Sequence, residues 1–302
     1  MNCMNYKIMH LGKYLKDACL RGLPLLILLG SALLYGKNTL WQVSSGDNSI
    51  FILGSIHLMK EDSYPLGDAI DTVFQKSEVL VMELDPDSAG SSRIQAMMML
   101  KGMLPGNQTL RDMLPEVIYK RAVVEAGNLG LPIDACQKFR PWFFAVTLSA
   151  LKLQQMGFDA SHGVDRYFFE KAKKRNMEVL PLESYAFQLN LFNELPDSLE
   201  ADLVLQTMDD LEIMETEMEQ MVDAWKRGNV SKLEEIMTES FQEYPALYQA
   251  FLVKRNLAWT DKIARFLEQG NRYFLVVGAG HLIGPESVID MLEQRGYAVR
   301  QL

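Results

Sequence analysis

Two apolar runs, one near each end of the chain, stop in the same kind of turn. Phe51-Ile52-Leu53-Gly54-Ser55-Ile56-His57-Leu58 and Val276-Val277-Gly278-Ala279-Gly280-His281-Leu282 both read as strand, then Gly-x-x-His, then Leu. Their separation is the main constraint on the fold, because strand signals cluster at the two chain ends while helical spacing fills the middle. The expected architecture is α/β (α+β in its segregation), with a central sheet formed by the N- and C-terminal parts and a large helical insert over about residues 90–270. The chain has only four histidines, so two in one local pattern carry weight.

The elements follow from periodicity. Residues 40–58 read as a β-hairpin turning at Ser44–Asn48, and residues 68–77 as a helix with Asp68 as N-cap. Val79–Met82 is a short strand, which makes a βαβ unit with what precedes it. Helices are expected over 90–103, over 115–127 (Pro115 at the first position, Gly127 just past the end), over 141–156 and over 163–175. A strand at 178–182 follows, then three or four helices over 196–269. A strand at 272–277, a helix at 285–294 and a last strand at 297–302 close the chain. The acidic run Asp209, Asp210, Glu212, Glu215, Glu217 and Glu219 reads as a solvated helix face, since it lacks the ligand spacing of a calcium loop.

The N-terminus has a different character. Lys7, Lys13, Lys16 and Arg21 precede the apolar run Leu23–Tyr35, the pattern of a signal peptide or, if uncleaved, a signal anchor over 1–36. Residues 37–302 then form a single domain. The expected location is periplasmic or secreted, with membrane association through residues 23–35 as the alternative. The net charge is −9. Losing four basic residues and Asp17 with the leader would make it more negative still, which argues against nucleic acid as a partner. Three cysteines exclude a disulfide scaffold.

The chemistry gathers at strand ends. In open α/β sheets ligands collect outside the C-terminal ends of the strands. His57, His281 and Glu83, which follows the strand Val79–Met82, all sit there. Two histidines and a glutamate are a familiar ligand set for Zn, Mn, Co or Fe, with open positions for water. Such a site polarises a carbonyl and activates water. The plainer alternative is that each is a structural hydrogen-bonding or turn residue.

The segments LWQVSSGDNSIFILGSIHLMKEDSYPL, VLVMELDP, GVDRYFFEKAKKRNMEVLPLES, KRNLAWTDKIARFL and FLVVGAGHLIGPESVIDML resemble the TraB/GumN family (TraB/PrgY/GumN), which is related to the Tiki metalloproteases. The likeness runs over about residues 40–302. It implies Gly54 and Gly278 as motif glycines, and His57, Glu83 and His281 as metal ligands, with Glu83 also eligible as general base. It implies a divalent metal cofactor (Mn, Co or Zn). Arg255 and Asn256 match an Arg-Asn pair, Asp165 a Gly-Val-Asp that opens a helix, and Glu183 a Leu-Glu after a strand. Arg255 is then a candidate for oxyanion or carboxylate binding, or else for a structural salt bridge. Asp165 reads as a helix cap and supporting residue. Glu183 reads as a second catalytic carboxylate or a cap. His162 reads as a loop residue, and Arg140 before Pro141 as a helix start.

The function expected on this likeness is a metal-dependent hydrolase, peptidase-like, acting on a peptide or small molecule outside the cytoplasm. The alternative is a non-enzymatic binder of metal, haem or a small ligand in the same cleft. The helical methionines Met97–Met99, Met208, Met214, Met218 and Met221 are expected chiefly in core packing, with a peptide groove as the second reading.

Overall fold

The strands from the two chain ends pair into one sheet. The computed structural model describes residues 37–302 apart from residue 243, so the leader expected over 1–36 lies outside the described residues. The sheet strands are β1 (Leu40–Ser45), β2 (Asn48–Ser55), β3 (Val79–Met82), β4 (Glu178–Pro181), β5 (Tyr273–Gly278) and β6 (Ala298–Gln301), in the order β4-β3-β5-β2-β1-β6. β1 and β2 form the expected hairpin, with Leu40 opposite Leu53. β5 runs parallel to both β2 and β3, and β4 runs parallel to β3. The four parallel strands are β4, β3, β5 and β2, and their C-terminal ends therefore share one edge.

The helices that matter for the site are α1 (Asp68–Lys76), α2 (Pro141–Gln155), α3 (Val164–Lys174), α4 (Tyr185–Asn193), α5 (Asp197–Lys226), α6 (Val230–Gln242), α7 (Lys254–Gln269) and α8 (Val288–Gln294). Every residue of β3 and β5 is buried, as expected for strands covered on both faces. Phe74 of α1, Phe168 of α3 and Phe274 of β5 meet at centroid separations of 5.0–5.4 Å, so α1 and α3 are anchored to the sheet by packed aromatic rings. A second apolar cluster, with Phe144 and Leu148 of α2 and Val204 and Met208 of α5, lies within the helical insert. None of the helices among the described residues is long and apolar enough to cross a membrane.

Several boundaries differ from expectation. β5 lies between β2 and β3, so the expected βαβ unit is split by a strand from the far end of the chain. Gly67, not Asp68, occupies the cap of α1, and Pro115 caps the helix Glu116–Asn128 from outside it. That helix takes in Gly127 and ends at Asn128, with Gly130 in the left-handed conformation just beyond its C-cap Leu129. α8 begins at Val288, where the Ser287 hydroxyl accepts the Asp290 N–H. At α3 the cap is Gly163, without a side-chain bond. Asp165 is therefore not the helix cap, since its carboxylate is engaged elsewhere.

Candidate functional site

Both Gly-x-x-His turns open at the parallel strand ends, and the glycines explain why the chains come so close. A Cβ on Gly54 would meet Ala279 Cα at 3.1 Å and its Cβ at 3.2 Å. One on Gly278 would stand 3.2 Å from both Glu83 Oε1 and His57 Nε2. The floor of the site is thus bare backbone, with two functional side chains pressed onto it. The Gly54 carbonyl also accepts a 2.6 Å bond from Trp225 Nε1 of α5.

His57 leaves β2 and turns into the open. Its side chain is 54% exposed. Nδ1–H donates to Asp165 Oδ2 at 2.8 Å, and the other oxygen of Asp165 accepts from Ser55 Oγ at 2.9 Å. That fixes the tautomer and leaves Nε2 facing Glu83 Oε1 across 3.8 Å. The segment leading into Asp165 at the start of α3 is pinned to this turn. Val164 N–H donates to Ile56 O, Tyr64 OH donates to His162 O, and Met59 pairs with Asp159. A Cβ on Gly163 would overlap the His57 carbonyl, so only glycine permits that approach. The Asp165 charge, opposed by burial and helped by its hydrogen bond and by Glu83, pushes the His57 pKa up to about 9.

Glu83 and Glu183 stand side by side because the β3–β4 pairing runs on past the strands, with Glu183 N–H donating to Glu83 O. Glu83 Oε1 accepts the Gly278 N–H at 2.6 Å, and Oε2 accepts from Arg255 at 2.7 Å. Burial pushes the Glu83 carboxyl up, but the positive groups facing it and the Gly278 N–H win, holding it down at about 2. Glu183 accepts from Arg255, from Trp259 Nε1 at 2.8 Å and from Gln188. Arg255 also donates to Phe251 O and to His281 Nε2 and stacks on Trp259. Its donors all serve the protein, so Arg255 organises both carboxylates and presents no free N–H to a substrate.

His281 is only 4% exposed. Nδ1–H donates to Asn256 Oδ1 at 2.6 Å, Nε2 accepts from Arg255 at 2.9 Å, and the ring leans on Trp259 with centroids 4.2 Å apart. The Asn256 amide in turn donates to Glu286 O. Burial, with the neighbouring Arg255 against only partial help from Glu83, pushes the His281 pKa down to about 3. It is a neutral imidazole with both nitrogens occupied.

All the nominated residues therefore meet, but not as a three-ligand cradle. His57 Nε2 and Glu83 Oε1 converge, while the His281 lone pair is taken by Arg255. Among the described residues no group of three His, Cys, Asp or Glu side chains is placed to hold a metal ion. What the arrangement offers chemically is an oriented, exposed imidazolium beside a fixed carboxylate. The pair opens on a cleft of about 490 Å³ that also meets Asp165, Arg166, Tyr185 and Gln188. Ser55, Gly163, Gln188 and Trp259 were not anticipated. Trp259 alone had a usable signal, since it follows Arg255 by four residues on one helix face. His162 sits in the 3₁₀ turn before Gly163. Arg140 pairs with the buried Glu200 in the insert.

The chain matches the model of the TraB/PrgY/gumN family over residues 39–301. It is 25% identical over 274 residues to the uncharacterized protein YbaP of Escherichia coli strain K12, covering 86% of this chain and 99% of that protein. An uncharacterized protein of Treponema pallidum is 23% identical over 281 residues, covering 88% of this chain and 83% of that protein. A protein of Amphimedon queenslandica named metalloprotease TIKI homolog is 24% identical over 320 residues, covering 87% of this chain and 61% of that protein. No solved structure matches the chain. With a match spanning nearly all of the described residues, the chain belongs to the TraB/PrgY/gumN family.

Proposed function

We propose that this protein is a hydrolase of the peptidase type, working outside the cytoplasm, with His57 and Glu83 as its acid–base pair. The observation that supports this reading is a half-exposed imidazole, oriented by Asp165, facing a fixed carboxylate at the mouth of a cleft. Asp165 favours the imidazolium, so Nε2–H is a proton donor at neutral pH. Glu83 Oε1 accepts a hydrogen bond from the attacking water. As the water oxygen bonds to the carbonyl carbon, its proton passes to Glu83. His57 gives its proton to the leaving nitrogen as the C–N bond breaks. Glu83 then returns the proton to His57, by then the stronger base. Because Asp165 keeps the imidazolium protonated through neutral pH, the proton is in place when the amine leaves.

The metal-dependent form of the reading is supported by the name of the Amphimedon queenslandica relative, and it would need His57 as a neutral ligand beside Glu83. The extracytoplasmic location is supported by the basic and apolar pattern of residues 7–35. Turnover of a broad peptide panel by wild type, His57→Ala and Glu83→Gln, with metal analysis of each, tests the reading. Both variants should stay folded and lose turnover. A stoichiometric divalent ion lost in His57→Ala would favour the metal-dependent form. Tight ligand binding without cleavage of any peptide would replace the hydrolase with a binding protein.

A further inference from the structure

His57 stands between two hollows, a cleft lined by charged and apolar side chains together and an apolar groove. The groove, about 380 Å³, is lined by both His57 and His281 and by the Gly278–Gly280 backbone. Its wall is Met218 and Met221 of α5, Leu233, Ile236 and Met237 of α6, and Leu252. The first two are three residues apart, and the α6 residues fall at i, i+3 and i+4, so each helix presents one apolar face. Leu233 and Ile236 are fully buried, while Met218, Met221 and Met237 are half-buried. The wall is therefore fixed at its base and soft at its lip, where thioethers adapt to what they touch. A Cβ on Gly280 would overlap the end of Met237, so the second histidine turn is bare where this helix crosses it. Met237, Phe241 and Gly280 also line an adjoining cavity of about 220 Å³, whose rim carries Glu234, Thr238 and Gln242.

We propose that this groove is the subsite for a large apolar side chain of a peptide substrate, beside the bond cleaved, with the peptide continuing along α6. The inference rests on the hydrolase reading and supplies its substrate class. Continuity carries it, because His57 lines both the groove and the catalytic cleft, so a bond held over His57 places one neighbour among the methionines. A peptide fits better than an acyl chain. The rim groups Glu234, Thr238 and Gln242 can pair with main-chain amides, and the cleft beyond His57 mixes Glu83, Asp165 and Arg166 with Met82, Leu84 and Pro86, which suits the alternating polar and apolar groups of a peptide. The groove's size lies within the roughly 300–1,000 Å³ usual for ligand pockets.

Peptides identical except for Ala, Leu, Phe or Asp next to the cleaved bond test this on the full chain. In wild type, Leu and Phe should exceed Ala by about tenfold or more in kcat/KM, in line with what apolar pockets discriminate. Met221→Trp fills the groove and should invert that order, with Met218→Trp as a second variant and thermal melting as the check on folding. A flat profile in wild type, or a preference unmoved in both folded variants, overturns the proposal. So does turnover of a fatty-acyl ester in place of the peptides. Calorimetry with uncleavable analogues separates the two readings. Selective binding of the Leu and Phe analogues without cleavage of any peptide keeps the groove and removes the hydrolase. Cleavage with no selectivity keeps the hydrolase and removes the groove.

Discussion

The two Gly-x-x-His turns share a sequence pattern and a sheet edge, and they hold their histidines in opposite states. His57 is half exposed, bonded through Nδ1 to a carboxylate, and pushed up to about 9. His281 is buried, bonded through Nδ1 to an amide oxygen, and pushed down to about 3. The turn sets where the ring begins, and the group on Nδ1 and the surrounding solvent set its charge. Pairs of titratable groups pushed apart in this way are what an acid–base division of labour requires. Here only one of the two histidines is free to act, while the other holds Arg255 in place.

The hardest way to break that comparison is to remove the cation between the turns. Arg255→Ala leaves Glu83 and Glu183 buried without their shared partner and strips His281 of its Nε2 donor. Breaking a buried pair from one side costs about 3–5 kcal/mol, a large part of a typical stability of about 5–15 kcal/mol. Denaturant melts should show that loss, or the variant should fail to accumulate. A melt within 1 kcal/mol of wild type would mean that the carboxylates are not held by Arg255 as described.

Alanine at each histidine splits the comparison more finely. His57→Ala should cost less stability than His281→Ala, because the pairing of His57 with Asp165 is half in solvent and screened. Its turnover should fall about 10²–10⁴-fold, the usual worth of a general acid. His281→Ala should also lower stability, by about 1–3 kcal/mol, because it orphans buried donors and acceptors on Arg255 and Asn256. Equal melting temperatures for the two variants would contradict the buried, doubly bonded state of His281.

The motif was readable before the fold, because strand, glycine and histidine are neighbours in sequence. The glycines announced a close approach, although what approaches Gly278, namely Glu83 Oε1 and His57 Nε2, comes from segments that only β5 brings together. The insertion of β5 between β2 and β3 had no local sign, since it rests on pairings between residues such as Phe51 and Phe274. Asp165 was read as a cap because an acid near a helix start usually is one. Its tie to His57 depends on a loop held by Tyr64, Met59 and Ile56, each about a hundred residues away in sequence. Long-range hydrogen bonds of that kind leave no periodicity to read.

Asp165→Asn sharpens the contrast by making the partner of His57 resemble the amide partner of His281. Asp165 is the largest cause of the raised value, so the His57 pKa should fall from about 9 towards 6.5. The alkaline limb of kcat/KM, which follows loss of the His57 proton in the free enzyme, should shift down with it, by up to about two pH units. Stability has the same sign. A raised folded-state value means the contribution of His57 is complete below 6.5 and fades as pH rises through about 9 in wild type, and the variant should lack that fade. Glu83 works in reverse, complete above its ordinary 4.5 and lost as pH falls towards 2, so the acid limb of stability should be common to both proteins. An unmoved alkaline limb in Asp165→Asn would mean that His57 is not the group that titrates there.

The smallest change lies in the second turn itself. Where the first turn has Ile56 before its histidine, the second has Gly280, and Gly280 faces the flexible end of Met237. Gly280→Ala makes the two turns more alike at the cost of moving one thioether. Methionine has rotamers to spare, so the melting temperature should change little. Turnover of small substrates should hold, because His281 keeps Asn256 and Arg255. What should change is the width of the apolar groove, seen as a few-fold loss for peptides with Phe at the tested position and none for those with Ala. If stability instead falls by several kcal/mol, Met237 is locked in its rotamer, and the groove lip is as rigid as its base.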